Sequence, residues 1–149
     1  MKTTTNAIVI INKAGDILGC HGYKKPQLGG YDFPKGQNEP GEIDKDAAIR
    51  ELREEAGIIL QYPERLIDCG IHPHNSEKRI HIFLYQTEHF PDISKLTCIS
   101  FFTDSGGYKC PEVDGYKIIT KSERTKYFYK VLHNKFDLID EKNTNTERD

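Results

Sequence analysis

Three glutamates, Glu51, Glu54 and Glu55, crowd into the stretch 44–56. On a helix turning about 100° per residue, Glu54 lies roughly 60° to one side of Glu51 and Glu55 roughly 40° to the other. Three carboxylates then share one face. A charged stripe is usually a solvated face, but two local rules count against that reading. Glu51 and Glu55 are like charges at i,i+4, which repel. All three also sit in the last two turns, where the helix dipole is already negative and lysine is preferred. Arg50, one turn before Glu54, can hold that carboxylate, yet one guanidinium does not balance three acids. A divalent cation would. Carboxylate oxygens are hard ligands suited to Mg²⁺, which keeps positions open for water and phosphate oxygens. The chemistry so placed is metal-assisted hydrolysis.

The helix that must carry these acids reads from Asp44, a candidate N-cap, to Ala56, with Gly57 as its stop signal. Ile49, Leu52 and Ala56 form another face that would pack on a sheet. Ala47 and Ala48, one turn before Glu51, are small and would leave room for a bulky ligand on the acidic side.

The stretch 36–58, GQNEPGEIDKDAAIRELREEAGI, resembles the Nudix hydrolase box, G-x5-E-x7-R-E-U-x-E-E-x-G-U with U a bulky apolar residue. Gly36, Glu42, Arg50, Glu51, Leu52, Glu54, Glu55, Gly57 and Ile58 fall in register. Average usage gives a chance match of the fixed letters on the order of 10⁻⁸ per starting point. The resemblance implies an α/β fold, a Nudix-type α/β/α sandwich with a mixed β-sheet. It also implies hydrolysis, with Mg²⁺ or Mn²⁺, of a nucleoside diphosphate linked to another moiety, releasing a nucleoside monophosphate. Glu51, Glu54 and Glu55 match the acids that hold the metal, one of which can instead position water. Gly36 matches a glycine whose carbonyl often adds a ligand. Arg50 and Glu42 match the pair that braces the loop against the helix and orients the acids. A further acid often joins from a loop before the last strand; Glu112 is the choice, with Asp104 and Asp114 as rivals and a solvated loop acid as the bland alternative.

Two hints about substrate differ. Pro73, downstream of Ile58, has a placing similar to that in ADP-ribose pyrophosphatases, although His72-Pro73-His74 also reads as a simple turn. The run Asp32-Phe33-Pro34-Lys35-Gly36 resembles diadenosine polyphosphate hydrolases and RNA pyrophosphohydrolases. The substrate class is therefore ADP-ribose, diadenosine polyphosphates or FAD. An RNA 5′-end pyrophosphohydrolase or decapping enzyme, and a non-catalytic nucleotide-binding module, are the alternatives. Tyr31, Phe33 or Tyr85 could stack on a base, or be core aromatics. Lys24, Lys25 and Lys35 could meet phosphates, or only water. His72 and His74 lack zinc partners at ligand spacing.

Around the box the chain alternates strands and turns. Ala7 to Ile11 reads as a strand entering a turn at Asn12–Asp16, with a return strand from Ile17 to near Gly22. Residues 24–41 form a Gly/Pro-rich loop with a short extended piece at Tyr31–Phe33. Further strands are expected at Leu66–Ile71, Ile80–Thr87, Lys95–Phe102 and Tyr116–Ile119, with a turn-rich loop at Asp104–Gly115. Thr120 and Glu123 have capping-box spacing ahead of a second helix running to about Asn134. The expectation is one domain over 1–139 and a frayed tail over 140–149, which has no apolar residue.

At 149 residues, one domain can bury its core without disulfides or a structural metal. A hydrophobic share of 36% with 8 Tyr and 7 Phe drives collapse, so a disordered chain is excluded. The net charge of −2 shows no basic excess for a nucleic-acid backbone, which disfavours an RNA partner relative to a small nucleotide. No apolar run approaches the ~20 residues of a membrane span, and residues 1–6 lack a signal-like segment. A cytoplasmic protein is expected, with Cys20, Cys69, Cys98 and Cys110 reduced. A homodimer is an open alternative, implied only by the resemblance.

Overall fold

The structure, a computed structural model, describes residues 2–147. Its centre is the apolar run Ala7–Ile11 within strand β1 (Thr3–Ile11), whose residues are almost wholly buried on both faces. Ala7, Val9 and Ile11 point into one core cluster, and Ile8 and Ile10 into another. A strand covered on both sides reads as continuous apolar sequence, not as alternation. This is why the run is unbroken.

The first cluster lies under the C-terminal segment, where Phe128, Leu132, Phe136 and Ile139 are buried. The second lies under helix α1 (Asp44–Ala56), through Ala48, Leu52 and Ala56. Helical layers therefore cover both faces of the sheet, which is the expected α/β/α sandwich.

β1 runs parallel to β6 (Lys78–Gln86) along its whole length, from Thr3 opposite Lys78 to Ile11 opposite Gln86. The other pairings are antiparallel, so the sheet is mixed. β5 (Ile67–Pro73) forms one edge beyond β6. On the other side, the early half of β1 pairs with β4 (Lys35–Gln37). β2 (Ile17–Gly22) meets β1 only at the turn, Ile11 opposite Ile17, and then takes β3 (Tyr31–Asp32) and β9 (Val113–Ile119) as partners. The Asn12–Asp16 turn is closed by the Asn12 side chain, whose oxygen accepts the Asp16 N–H at 2.9 Å. The two remaining strands, β7 (Phe101–Thr103) and β8 (Lys109–Pro111), which precede β9 in the chain, form a separate two-stranded arm. No helix among the described residues is long and apolar enough to cross a membrane.

Several expectations need correction. Ile43, not Asp44, occupies the N-cap position of α1. The Asp44 carboxylate instead reaches His81 Nδ1 at 2.7 Å and accepts from Asn38 at 2.8 Å, which ties the start of the helix to β6. Ala47 and Ala48 make no room for a ligand: both are fully buried, and Ala48 packs in the core beneath α1. The strand expected over Lys95–Phe102 is irregular up to Ser100 and extended only from Phe101. Thr97 and Ile99 donate their N–H groups to the carbonyls of Ala56 and Glu54, at 3.3 and 2.7 Å. The segment satisfies the open carbonyls at the end of α1 in place of a neighbouring strand.

The single helix expected from Thr120 is broken. A 3₁₀ turn leads into the short α2 (Arg124–Tyr127), and Phe128 is extended, its backbone bridged to Tyr31. Extension lets the Phe128 ring sink fully among Phe33 and Phe136, with ring centres 5.3 and 5.4 Å away. Thr120 and Glu123 bond to each other through their side chains, and no capping box forms. Of the tail expected to fray over 140–149, residues 140–145 continue α3 (Phe136–Asn145), and 148–149 lie outside the described residues. The buried Arg124 grips Asp140 with two hydrogen bonds of 2.7 Å, and Asn143 is itself buried, donating to the Asn12 carbonyl.

Candidate metal centre and active site

Three of the sequence-selected acids converge. Glu51 and Glu55 from α1 and Glu112, between β8 and β9, each offer a carboxylate oxygen, and these oxygens lie within 4.8 Å of one another. The helix wheel places the first two, and the chain entering β9 delivers the third. Asp104 and Asp114 stand elsewhere. Asp104 closes its own turn by accepting the Gly106 and Tyr108 N–H groups, and Asp114 pairs with His21 and the Lys24 N–H.

Arg50 decides how the helix acids divide. Its Nε and Nη2 bind both oxygens of Glu42 at 2.9 Å, and Nη2 also reaches the Gln37 carbonyl. Its Nη1 donates to Glu51 at 2.9 Å and Glu54 at 3.1 Å. All five guanidinium N–H groups have work, so the planar fork is fixed. This bidentate grip, with the Glu39 N–H, holds the Glu42 carboxyl down at about 2. Glu54, clasped by Arg50, stands outside the group of three; Glu51 belongs to both.

Gly36 is where β4 passes beneath the acids. A Cβ there would stand 2.1 Å from the Glu51 carboxyl carbon, so only glycine leaves Glu51 its place. The Gly36 carbonyl accepts from the buried Asn6 side chain at 3.1 Å. Next to it, the Lys35 N–H donates to Glu55 at 3.1 Å.

The electrostatics are those of an unneutralised anion site. Burial first, and then the like charge of Glu51, pushes the Glu55 carboxyl up to about 9. Burial also raises Glu51, opposed by Arg50. Hard oxygen donors, convergence from two elements and mutual repulsion together fit a divalent cation, whose charge would reverse these shifts.

A small cavity of about 110 Å³ opens beside Glu55 and Glu112, with Asp32, Lys35, Cys20 and Tyr129 in its wall. The Lys35 ammonium is paired with Asp32 at 3.0 Å. Of the proposed substrate contacts, only Lys35 offers a side-chain charge here. Tyr31 and Phe33 are buried in the core, Tyr31 bonding Gln27 through its hydroxyl, and Phe33 also borders this cavity. Pro73 is exposed on edge strand β5, opposite Arg79. Tyr85 lines a separate groove of about 760 Å³ with Tyr62, Arg65 and His89, whose wall contains none of the three clustered glutamates. Sequence reasoning missed Asp32 and Tyr129. Asp32 was legible as part of the run before Gly36, whereas nothing in the spacing of Tyr129 signals its approach.

The model of the NUDIX domain matches residues 1–96. An uncharacterized 17.7 kDa protein of Enterobacteria phage T4, from the e-segB intergenic region, is 28% identical over 147 residues, covering 91% of this chain and 97% of its own length. Among solved structures, the NUDIX domain of Shewanella oneidensis NrtR complexed with ADP ribose superposes with a TM-score of 0.68 at 11% identity, covering 95% of this chain and 88% of that one. A Caenorhabditis elegans Ap4A hydrolase, solved as a binary complex, gives 0.62 at 20% identity, covering 92% and 94%. Together with the box in register, the family match over residues 1–96 places this chain in the Nudix hydrolase family.

Proposed function

We propose that this Nudix hydrolase cleaves the pyrophosphate linkage of a nucleoside diphosphate joined to a second group, releasing a nucleoside monophosphate. The observation that carries this reading is the convergence of Glu51, Glu55 and Glu112 within 4.8 Å. These three would hold Mg²⁺ or Mn²⁺. Such an ion supplies charge neutralisation at the phosphoryl oxygens and a lowered pKa for the attacking water.

The remaining work falls to the chain itself. Arg50, clamped by Glu42, sets the direction of the Glu51 and Glu54 carboxylates. The Lys35 N–H orients Glu55, and the Lys35 ammonium brings positive charge to the cavity wall. The ADP ribose held by the NrtR domain and the activity named for the C. elegans hydrolase support ADP-ribose and diadenosine polyphosphates as substrates to try first, with FAD added as another compound that has an adenosine diphosphate half.

The test is a panel of these compounds, with a 5′-triphosphorylated oligonucleotide, incubated with Mg²⁺ or Mn²⁺ and resolved by product. Release of AMP from the small nucleotides, abolished by chelator, is expected. Turnover of the oligonucleotide alone would move the substrate class to RNA ends. Binding without hydrolysis under every cation would refute catalysis.

A further inference from the structure

Each of the three clustered glutamates is aimed by a donor, and the third has the least around it. Glu51 is held by Arg50 at 2.9 Å, and the buried Glu55 accepts the Lys35 N–H at 3.1 Å. Glu112 is exposed, on the chain between β8 and β9. A glutamate left to solvent turns about several side-chain bonds. A ligand that must be stilled as its ion arrives binds that ion less tightly.

The Glu112 backbone, by contrast, is fixed on both sides. Its N–H donates to the Ser100 carbonyl at 2.9 Å, and its carbonyl accepts the Tyr23 N–H at 3.3 Å. Ser100 is in turn tied to α1 through its neighbours: Ile99 donates to the Glu54 carbonyl at 2.7 Å and Thr97 to that of Ala56 at 3.3 Å. Tyr116 closes the same gap from β9, its hydroxyl donating to the Glu55 carbonyl at 2.5 Å. The end of α1 and the entrance of β9 are thereby bonded together. What remains to be set is the direction of the Glu112 side chain.

Ser100 stands where it can set it. Phe101 lies opposite Pro111 in the arm, and continuing that antiparallel register by one residue puts Ser100 opposite Glu112. Side chains of such a pair emerge on the same face. The Ser100 hydroxyl donates to Glu112 Oε2 at 2.9 Å, the one hydrogen bond this carboxylate makes among the described residues. A neutral donor suits the place. Lysine or arginine there would oppose a cation, whereas a hydroxyl takes one lone pair and leaves the carboxylate its charge and its second oxygen.

We propose that Ser100 is a positioning residue for the cation site: through its hydroxyl it presents the Glu112 carboxylate to an ion shared with Glu51 and Glu55. This rests on the reading of those three acids as cation ligands. Its part is to spare the site the ordering of an exposed side chain. Loss of the hydroxyl therefore shows in affinity for the ion and not in the fold.

The experiment measures Mn²⁺ affinity by calorimetry, with thermal unfolding in chelator beside it. The proteins are the wild type, Ser100→Ala, Ser100→Thr, Glu112→Gln and the Ser100→Ala/Glu112→Gln double variant. Ser100→Ala should weaken Mn²⁺ about tenfold while its Tm in chelator stays that of the wild type. Ser100→Thr keeps the hydroxyl and should bind within about twofold of the wild type. In the Glu112→Gln protein, already weakened, Ser100→Ala should change nothing further. Wild-type affinity in Ser100→Ala, equal weakening by Ala and Thr, or the same loss on top of Glu112→Gln overturns the proposal. If Glu112→Gln loses affinity and Ser100→Ala does not, the role of Ser100 alone falls. If Glu112→Gln binds Mn²⁺ like the wild type, the reading of Glu112 as a ligand falls with it.

Discussion

Replacing Glu55 by Gln should make the cation-free protein more stable while destroying its activity. The Glu55 carboxyl is raised from 4.5 to about 9, chiefly by burial and then by Glu51. Between those values the unfolded chain has released the proton and the folded one keeps it. A raised folded-state value contributes stability that is complete below 4.5 and is lost as pH climbs towards 9. Each pH unit in that window costs about 1.36 kcal/mol, so at pH 7.5 the burden is about 4 kcal/mol. Glutamine has no charge to desolvate. Its oxygen can still accept the Lys35 N–H, and Glu51 and Glu112 stand ready to accept from its NH₂. For a chain of this size, a gain of that order raises Tm by roughly 8–16 °C. The assay is thermal unfolding of both proteins in chelator at pH 5, 7.5 and 9, repeated with Mn²⁺, beside turnover. The difference between them should be small at pH 5 and grow with pH. Mn²⁺ should stabilise the wild type far more than the variant, and turnover should fall by about 10²-fold or more. A variant less stable than the wild type at pH 7.5 without cation, or a difference independent of pH, refutes the reasoning.

Cation affinity of the wild type should rise with pH, because the proton held by Glu55 up to about 9 must leave before the carboxylate can bind; Mn²⁺ titrations at pH 6.5 and 8.5 check this, along with the proton released. Gly36→Ala should weaken Mn²⁺ binding at least about tenfold with near-native circular dichroism, since the added methyl strikes the Glu51 carboxyl carbon at 2.1 Å, and undiminished affinity would count against Glu51 as a ligand. Arg50→Lys should lower kcat and cost about 1–3 kcal/mol in denaturant unfolding, because an ammonium cannot reproduce the bidentate hold on Glu42 while reaching Glu51 and Glu54. Phe128→Ala should cost about 3–5 kcal/mol by opening a cavity between Phe33 and Phe136, again read from denaturant unfolding.

Those elements whose own residues fix them were legible in the sequence. β1 declares itself by an unbroken apolar run, the Asn12–Asp16 turn by its side chains, and α1 by its apolar face and the stop at Gly57. Long-range demands governed the rest. Lys95 to Ser100 looks like the body of a strand, yet the backbone of Thr97 and Ile99 is needed at the open end of α1. Thr120 onward looks like one helix, but burying Phe128 breaks it. The site divides the same way. The helix wheel gathers Glu51, Glu54 and Glu55 on one face and puts Arg50 one turn before Glu54, but it does not reveal that Glu54 is left out of the group that meets Glu112. Glu112 was singled out only through the family resemblance, with Asp104 and Asp114 as rivals, whereas the approach of Tyr129 to the cavity depends on the broken C-terminal segment.

The acids come from two distant stretches, α1 and the entrance to β9. On a ribosome, α1 would emerge with Glu51 and Glu55 long before Glu112 leaves the exit tunnel. A nascent chain in that interval would carry only two of the three proposed ligands. An ion held by Glu51, Glu55 and Glu112 would tie the entrance of β9 to α1 across the closed chain.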